Sequence, residues 1–215
     1  MRTILKTALA ICLGLGFLAL DAHSKTAVAF LGLSRESDPR YGEGMAKRIR
    51  WELGADTSLL SYSDEEIGLL FAKGVLREPL VGPADMARLS LGLGAQYYAF
   101  GSLEPMAMES KRAKWKFWDI KVKWTQGLRL RVLDGSDGKV VYDSLISAEI
   151  PEAALFSAPE SDFGRMAPLK REGLLRNMSV RVSVQTAKAL ASGLVLATER
   201  KKKAAGAAGN AESKP

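Results

Sequence analysis

The chain has a single cysteine, Cys12, and a single histidine, His23, and both fall in the first 24 of its 215 residues. Beyond Ser24 there is no thiol and no imidazole. That excludes disulfides, the usual zinc sites, thiol nucleophiles and Ser-His-Asp triads from everything that follows. Long apolar runs are also missing. The run from Thr7 to Leu20 has fourteen residues and contains Gly14 and Gly16, whereas a helix needs ~20 apolar residues to cross a bilayer.

What the first residues do fit is a secretory leader. Arg2 and Lys6 give the positive start, the apolar run follows, and the small residues Ala22 and Ser24 stand at cleavage spacing. Residues 1–24 are therefore expected to be a signal peptide cut after Ser24, with an uncut anchor as the alternative. Cys12 follows bulky Ile11 inside the apolar run, so lipidation at that position is not expected. The expected location is the periplasm, with association to the outer membrane left open.

Residues 25–198 are expected to form one domain, since a body of about 175 residues can bury a real core. With no cysteine to crosslink it, that core must hold the domain by packing alone. The formal charge of +7 is unevenly spread. Residues 111–124 carry six Lys or Arg against Asp119, and residues 199–215 are also basic, while the remainder is close to neutral. The 111–124 segment holds three of the four tryptophans, Trp115, Trp118 and Trp124.

Periodicity gives the elements. Residues 26–33 read as a buried strand, and Met45, Ile49 and Leu53 place a helical face on residues 42–53. After a short strand at 59–62, Ser63 and Glu66 form a capping box that opens a helix ended by Gly74. Another helix is expected over 83–93 and a central strand over 96–103. From Trp118 the even positions Ile120, Val122, Trp124, Leu128, Leu130 and Val132 are apolar, while Lys121, Lys123, Arg129 and Arg131 occupy odd ones, which predicts a long half-buried strand. The turn LDGSDGK leads into an antiparallel partner over 140–150. Residues 151–173, with Pro151, Pro159 and Pro168, are expected to be a long loop with a docking role, followed by a helix from about 174 to 196. The tail 199–215 has no apolar face and is expected to be disordered. The expected class is mixed α/β (α+β): one three-layer domain whose sheet of about five strands is flanked by helices in the order β-α-β-α-α-β-β-β-α.

Catalytic patterns are thin. Asp64, Glu65 and Glu66 are explained by a helix N-terminus, and Asp134 and Asp137 by an ordinary turn, the run being too short for an EF-hand loop. GLGLGA lacks the strand-turn-helix placement and the GK[ST] of a phosphate loop. No enzyme, cofactor or metal is expected. The candidate partner-binding residues are Lys114, Trp115, Lys116, Phe117, Trp118, Lys121 and Lys123, because interleaved lysines and indoles suit an anionic polymer or a headgroup layer. The bland alternative is a core-facing strand whose lysines are simply solvated. Trp115 and Phe117 break the even phase, so a bulge or hairpin tip is expected there.

The sequence of phrases AVAFLGLS, GEGMAKRIRWEL, PADMARLSLGLGAQYYAFGSLEP and LRLRVLDGSDGKVVYDS resembles the domain family of the curli-secretion protein CsgG, the TolB N-terminal domain and the penicillin-binding-protein activator LpoB. The resemblance spans roughly residues 26 to 150 and implies an envelope α/β domain that acts by binding other envelope components. Three function classes stay open: an accessory docking on envelope protein complexes or anionic envelope material, a membrane-inserted channel-like oligomer, and a nucleic-acid binder if the chain stays in the cytoplasm. A homo-oligomer is compatible with the first two.

Overall fold

A computed structural model describes residues 25–34, 39–74, 83–113, 116–155 and 166–212. Residues 1–24, expected as a leader and holding Cys12 and His23, lie outside the described residues, as does Pro159. No helix among the described residues is long and apolar enough to cross a membrane.

The elements are β1 (Thr26–Ser34), α1 (Pro39–Gly54), β2 (Leu59–Ser61), α2 (Asp64–Ala72), α3 (Pro83–Gly92), β3 (Tyr97–Leu103), β4 (Ala107–Ala113), β5 (Lys116–Asp134), β6 (Val140–Leu155) and α4 (Pro168–Glu212). β1 lies between β2 and β3 and is parallel to both. β5 is the long central plank. On one edge it takes β3 along residues 128–134 and β4 along residues 116–125, and on the other it takes β6 along residues 119–133, all antiparallel. The mixed α/β class and the three-layer plan are those expected, with β4 added as a sixth strand.

The two sheet faces have separate cores. α1 and α4 cover one, burying Met45, Ile49 and Leu53 with Met178, Val182 and Leu190 against Phe30, Leu128 and Leu130. α2 and α3 cover the other, where Ile67, Leu70 and Leu89 meet Leu31, Tyr98 and Phe100. The second layer reaches β5 only at its last residues, through Leu133, so most of β5 and β6 is buried on one side only. That is why their sequences alternate, whereas β1 reads as a continuous apolar run.

The capping box is formed: the Ser63 amide donates to Glu66 Oε2 at 2.7 Å and the Glu66 amide to Ser63 Oγ at 3.3 Å. Arg50 bridges from α1 to Asp64 and also donates to the Phe30 carbonyl at 3.0 Å. The two helical layers are thus tied around the sheet edge.

Two expectations are corrected. The long loop 151–173 shrinks from both ends, since β6 continues to Leu155 and α4 begins at Pro168. Pro168 is at the first helical position, where its missing N–H costs nothing. Pro151 sits opposite Lys123 on the edge strand β6, where a proline is tolerated because a missing amide on the open side breaks no ladder bond. Finally, the tail expected as disordered continues α4 to Glu212. Its alanines and lysines are good helix formers, and Lys201 has a partner: its Nζ donates to Asp134 Oδ2 at 2.8 Å.

Asp134 is buried at the base of the β5–β6 turn and also accepts from the Ser136 amide at 2.9 Å and its hydroxyl at 2.5 Å. Burial works against its charge, but Lys201 and Ser136 outweigh it and hold the carboxyl below the usual aspartate range. A depressed pKa stabilises the fold above the unfolded value of ~3.9 and is lost as pH falls through the folded one. Asp134→Asn is therefore expected to show a smaller drop in Tm than the parent between about pH 6 and pH 3. Parallel melting curves at each pH check this; equal drops would mean that Asp134 contributes nothing to the acid limb.

Candidate binding surface

β4 and β5 form a hairpin whose register runs regularly from Ala107↔Thr125 to Arg112↔Ile120 and then jumps to Ala113↔Lys116. Phe117, Trp118 and Asp119 fall in that register break, while Asp119 still pairs with Leu155 of β6. This is the backbone irregularity that the broken even phase predicted. Lys114 and Trp115, between the strands, lie outside the described residues. Lys116, Phe117, Trp118 and Lys121 are placed as strand positions, and their side chains lie outside the described residues. Of the seven candidates, Lys123 alone has its side chain described.

Further down the hairpin, Val122 and Trp124 point into the core beneath α4, as the even phase requires. Lys123 points to the opposite, uncovered face. Its Nζ lies 2.9 Å from Glu149 Oε1 on β6 and 3.4 Å from Glu109 Oε2 on β4. The Glu149 bond, against slight desolvation and aided by Glu109, raises the Lys123 pKa above the ordinary lysine value. Lys123 is thus a neutralised member of a cross-strand ladder.

The same face carries a second cluster. Arg129 Nε donates to Asp143 Oδ1 at 3.0 Å, and Arg131 reaches Oδ2 through Nε at 3.2 Å and Nη2 at 3.0 Å. The Arg129 bond, opposed by partial burial and reinforced by Arg131, keeps the Asp143 carboxyl below its usual range. The two arginines were legible as odd-phase basic residues. Asp143, Glu109 and Glu149 were not, because only the strand register brings them alongside.

The two ends of the ladder differ in sequence. Near the body, lysine and arginine are matched by acids on neighbouring strands. Toward the tip, Lys111 stands directly opposite Lys121 in the β4–β5 ladder, and across β5 Lys121 faces Ala153. Residues 111–121 hold Lys111, Arg112, Lys114, Lys116 and Lys121 against Asp119. Like charges at directly opposed ladder positions destabilise a strand pair.

A concavity of about 290 Å³ lies between α2 and α3, lined by Tyr62, Glu66, Leu69, Leu70, Lys73 and Leu93. The Tyr62 hydroxyl is committed to the Leu93 carbonyl at 2.7 Å.

No family model matches the chain, and no curated protein matches it. Among solved structures it is similar to the lipoprotein GNA1162 from Neisseria meningitidis, at 13% identity and TM-score 0.40, over 71% of this chain and 94% of that one. It is similar to the LpoB C-terminal domain from Salmonella enterica, at 9% identity and TM-score 0.39, over 63% and 90%. TolB from Acinetobacter baumannii matches at 11% identity and TM-score 0.30, over 57% of this chain and 23% of that one. LpoB and TolB were both named in the sequence resemblance; the curli-secretion protein is not singled out. At such identities and scores the likeness says nothing of function.

Proposed function

We propose that the chain is an exported, non-enzymatic binding module of the bacterial cell envelope that docks through the tip of the β4–β5 hairpin on anionic envelope material or on an acidic face of an envelope protein complex. The observation that carries this reading is the contrast along one strand pair. Lys123 is matched by Glu109 and Glu149, while Lys111 and Lys121 are set against each other. An external anion would relieve repulsion between charges at those two positions, and Phe117 and Trp118 fall in the adjoining register break. The leader-like first 24 residues and the lack of histidine and cysteine after them support export and argue against the commoner hydrolytic chemistries. A channel-like role is disfavoured: a lipid-facing strand needs one apolar face, whereas the uncovered face of β5–β6 carries Lys123, Arg129, Arg131, Asp143 and Glu149.

Lys114→Glu, Lys116→Glu and Lys121→Glu combined are expected to weaken capture by envelope extracts at least ~100-fold, since each cation near an anionic surface contributes about 1 kcal/mol. The melting temperature should stay within a degree or so, as surface changes of this kind seldom move stability. Undiminished capture by a folded triple variant would reduce the segment to a solvated strand face.

A further inference from the structure

We infer that β6 is a self-pairing edge through which two copies of this chain join their sheets about a two-fold axis. This does not depend on what the hairpin tip binds. β6 is hydrogen-bonded to β5 on one side only, and among the described residues no strand pairs with its other side.

Two hydrogen bonds fix which main-chain groups face outward. The Glu104 amide donates to the Gly127 carbonyl at 2.9 Å, so the main-chain groups of Gly127 point away from β6. The even residues of β5 then bond to β6, and their partners there, Tyr142, Ser144, Ile146 and Ala148, are even as well. The odd residues Asp143, Leu145, Ser147 and Glu149 must turn both N–H and C=O to the open side. The second bond agrees: Arg181 Nη1 of α4 donates to the Glu149 carbonyl at 3.0 Å.

That arginine, with Pro151 two residues on, blunts the far half of the edge. The near half has no such protection. Residues 140–148 read VVYDSLISA, with no lysine, arginine or proline and with Asp143 as the only charge. Arg129 and Arg131 already neutralise it. Natural edge strands are normally guarded by charge, proline or a covering element. Here Leu145 is 55% exposed and Val140 52%, so the unguarded stretch is also apolar.

The occupant is read from the pattern itself. An antiparallel copy centred on Leu145 sets Leu145 against Leu145 and Asp143 against Ser147, so that no like charges meet and each open position finds its own complement. Such isologous pairing closes at two copies. α4 extends the surface, since Val184, Val195 and Leu196 share the flank of that helix on which Arg181 reaches the edge, and Val195 and Leu196 are exposed. Lys188 lies on the same flank. Arg181 touches Glu149 and Gly193 lies against Tyr142, so Lys188 falls level with Leu145 and faces its copy across the axis. Screening should therefore tighten the contact as salt rises.

The test uses the protein as purified from cells. Sedimentation equilibrium is expected to show a monomer–dimer equilibrium that shifts toward dimer with salt. Leu145→Cys is expected to crosslink to itself under mild oxidation, because Cα atoms of a hydrogen-bonded antiparallel pair stand about 5.5 Å apart. The parent chain, which has Cys12 alone, is the control. Ser147→Pro removes an outward amide that β5 does not use and should weaken the dimer at least ~tenfold with Tm retained. If that variant fails to fold, the Leu145→Cys crosslink decides. A monomer at every concentration, an unlinked Leu145→Cys chain, a dimer indifferent to Ser147→Pro in a folded variant, or assemblies growing beyond two copies would each overturn the inference.

Discussion

Trp124→Ala is expected to lower the unfolding free energy by about 3–5 kcal/mol, the range for emptying a buried large aromatic. Trp124 belongs by sequence to the basic aromatic segment, yet it is 2% exposed and sits in the core shared by β5, β6 and α4. Its neighbours across the strands, Met108 and Ile150, pack against the same core. Removing the indole leaves a cavity that a sheet braced by β4 and β6 on its two edges cannot collapse to fill. Urea unfolding of parent and variant measures the difference. A loss below about 1 kcal/mol would mean that this side chain belongs to the surface and not to the interior.

The second large effect is expected at Gly135, the first residue after β5. Its amide donates to the Gln96 carbonyl at 2.7 Å, drawing the β5–β6 turn against the strand that follows α3. A Cβ at this position would collide with the Ala95 carbonyl oxygen and stand 3.0 Å from that of Gln96. Both obstacles are main chain, so no side chain can swing aside. Gly135→Ala should therefore cost about 1–3 kcal/mol, the range for overpacking without a relaxation route. Gly42→Ala is the matched control: it lies in α1 with nothing within 4 Å of the added methyl, and it should raise stability by about 0.5–1 kcal/mol. Paired thermal melts read both, and a neutral Gly135→Ala would show that the turn is free to move off β3.

Much of this architecture was legible because local chemistry and global packing agree. Ser63 and Glu66 announce a helix start before any tertiary contact is known. The even-phase run Val122, Trp124, Leu128, Leu130 and Val132 declares a strand with one wet face. Other parts depend on partners far away in the chain. β4 reads AMESKRA, with no apolar alternation of its own, and becomes a strand because β5 offers it an edge. The same holds for the surface chemistry: Arg129 and Arg131 could be seen as basic, but their neutralisation by Asp143 requires the β5–β6 register. The last turns of α4 were missed for a related reason. Without an apolar stripe they look unstructured, and what marks their place is the reach of Lys201 to Asp134.

α4 is pinned at two places twenty residues apart, Arg181 on the β6 backbone and Lys201 on the β5–β6 turn. That interval is roughly 30 Å of helix at 1.5 Å per residue. A rod fixed at both stations cannot fray from its middle or slide by one turn without releasing both at once. The helix and the β5–β6 ribbon are thus expected to open and close as one cooperative unit.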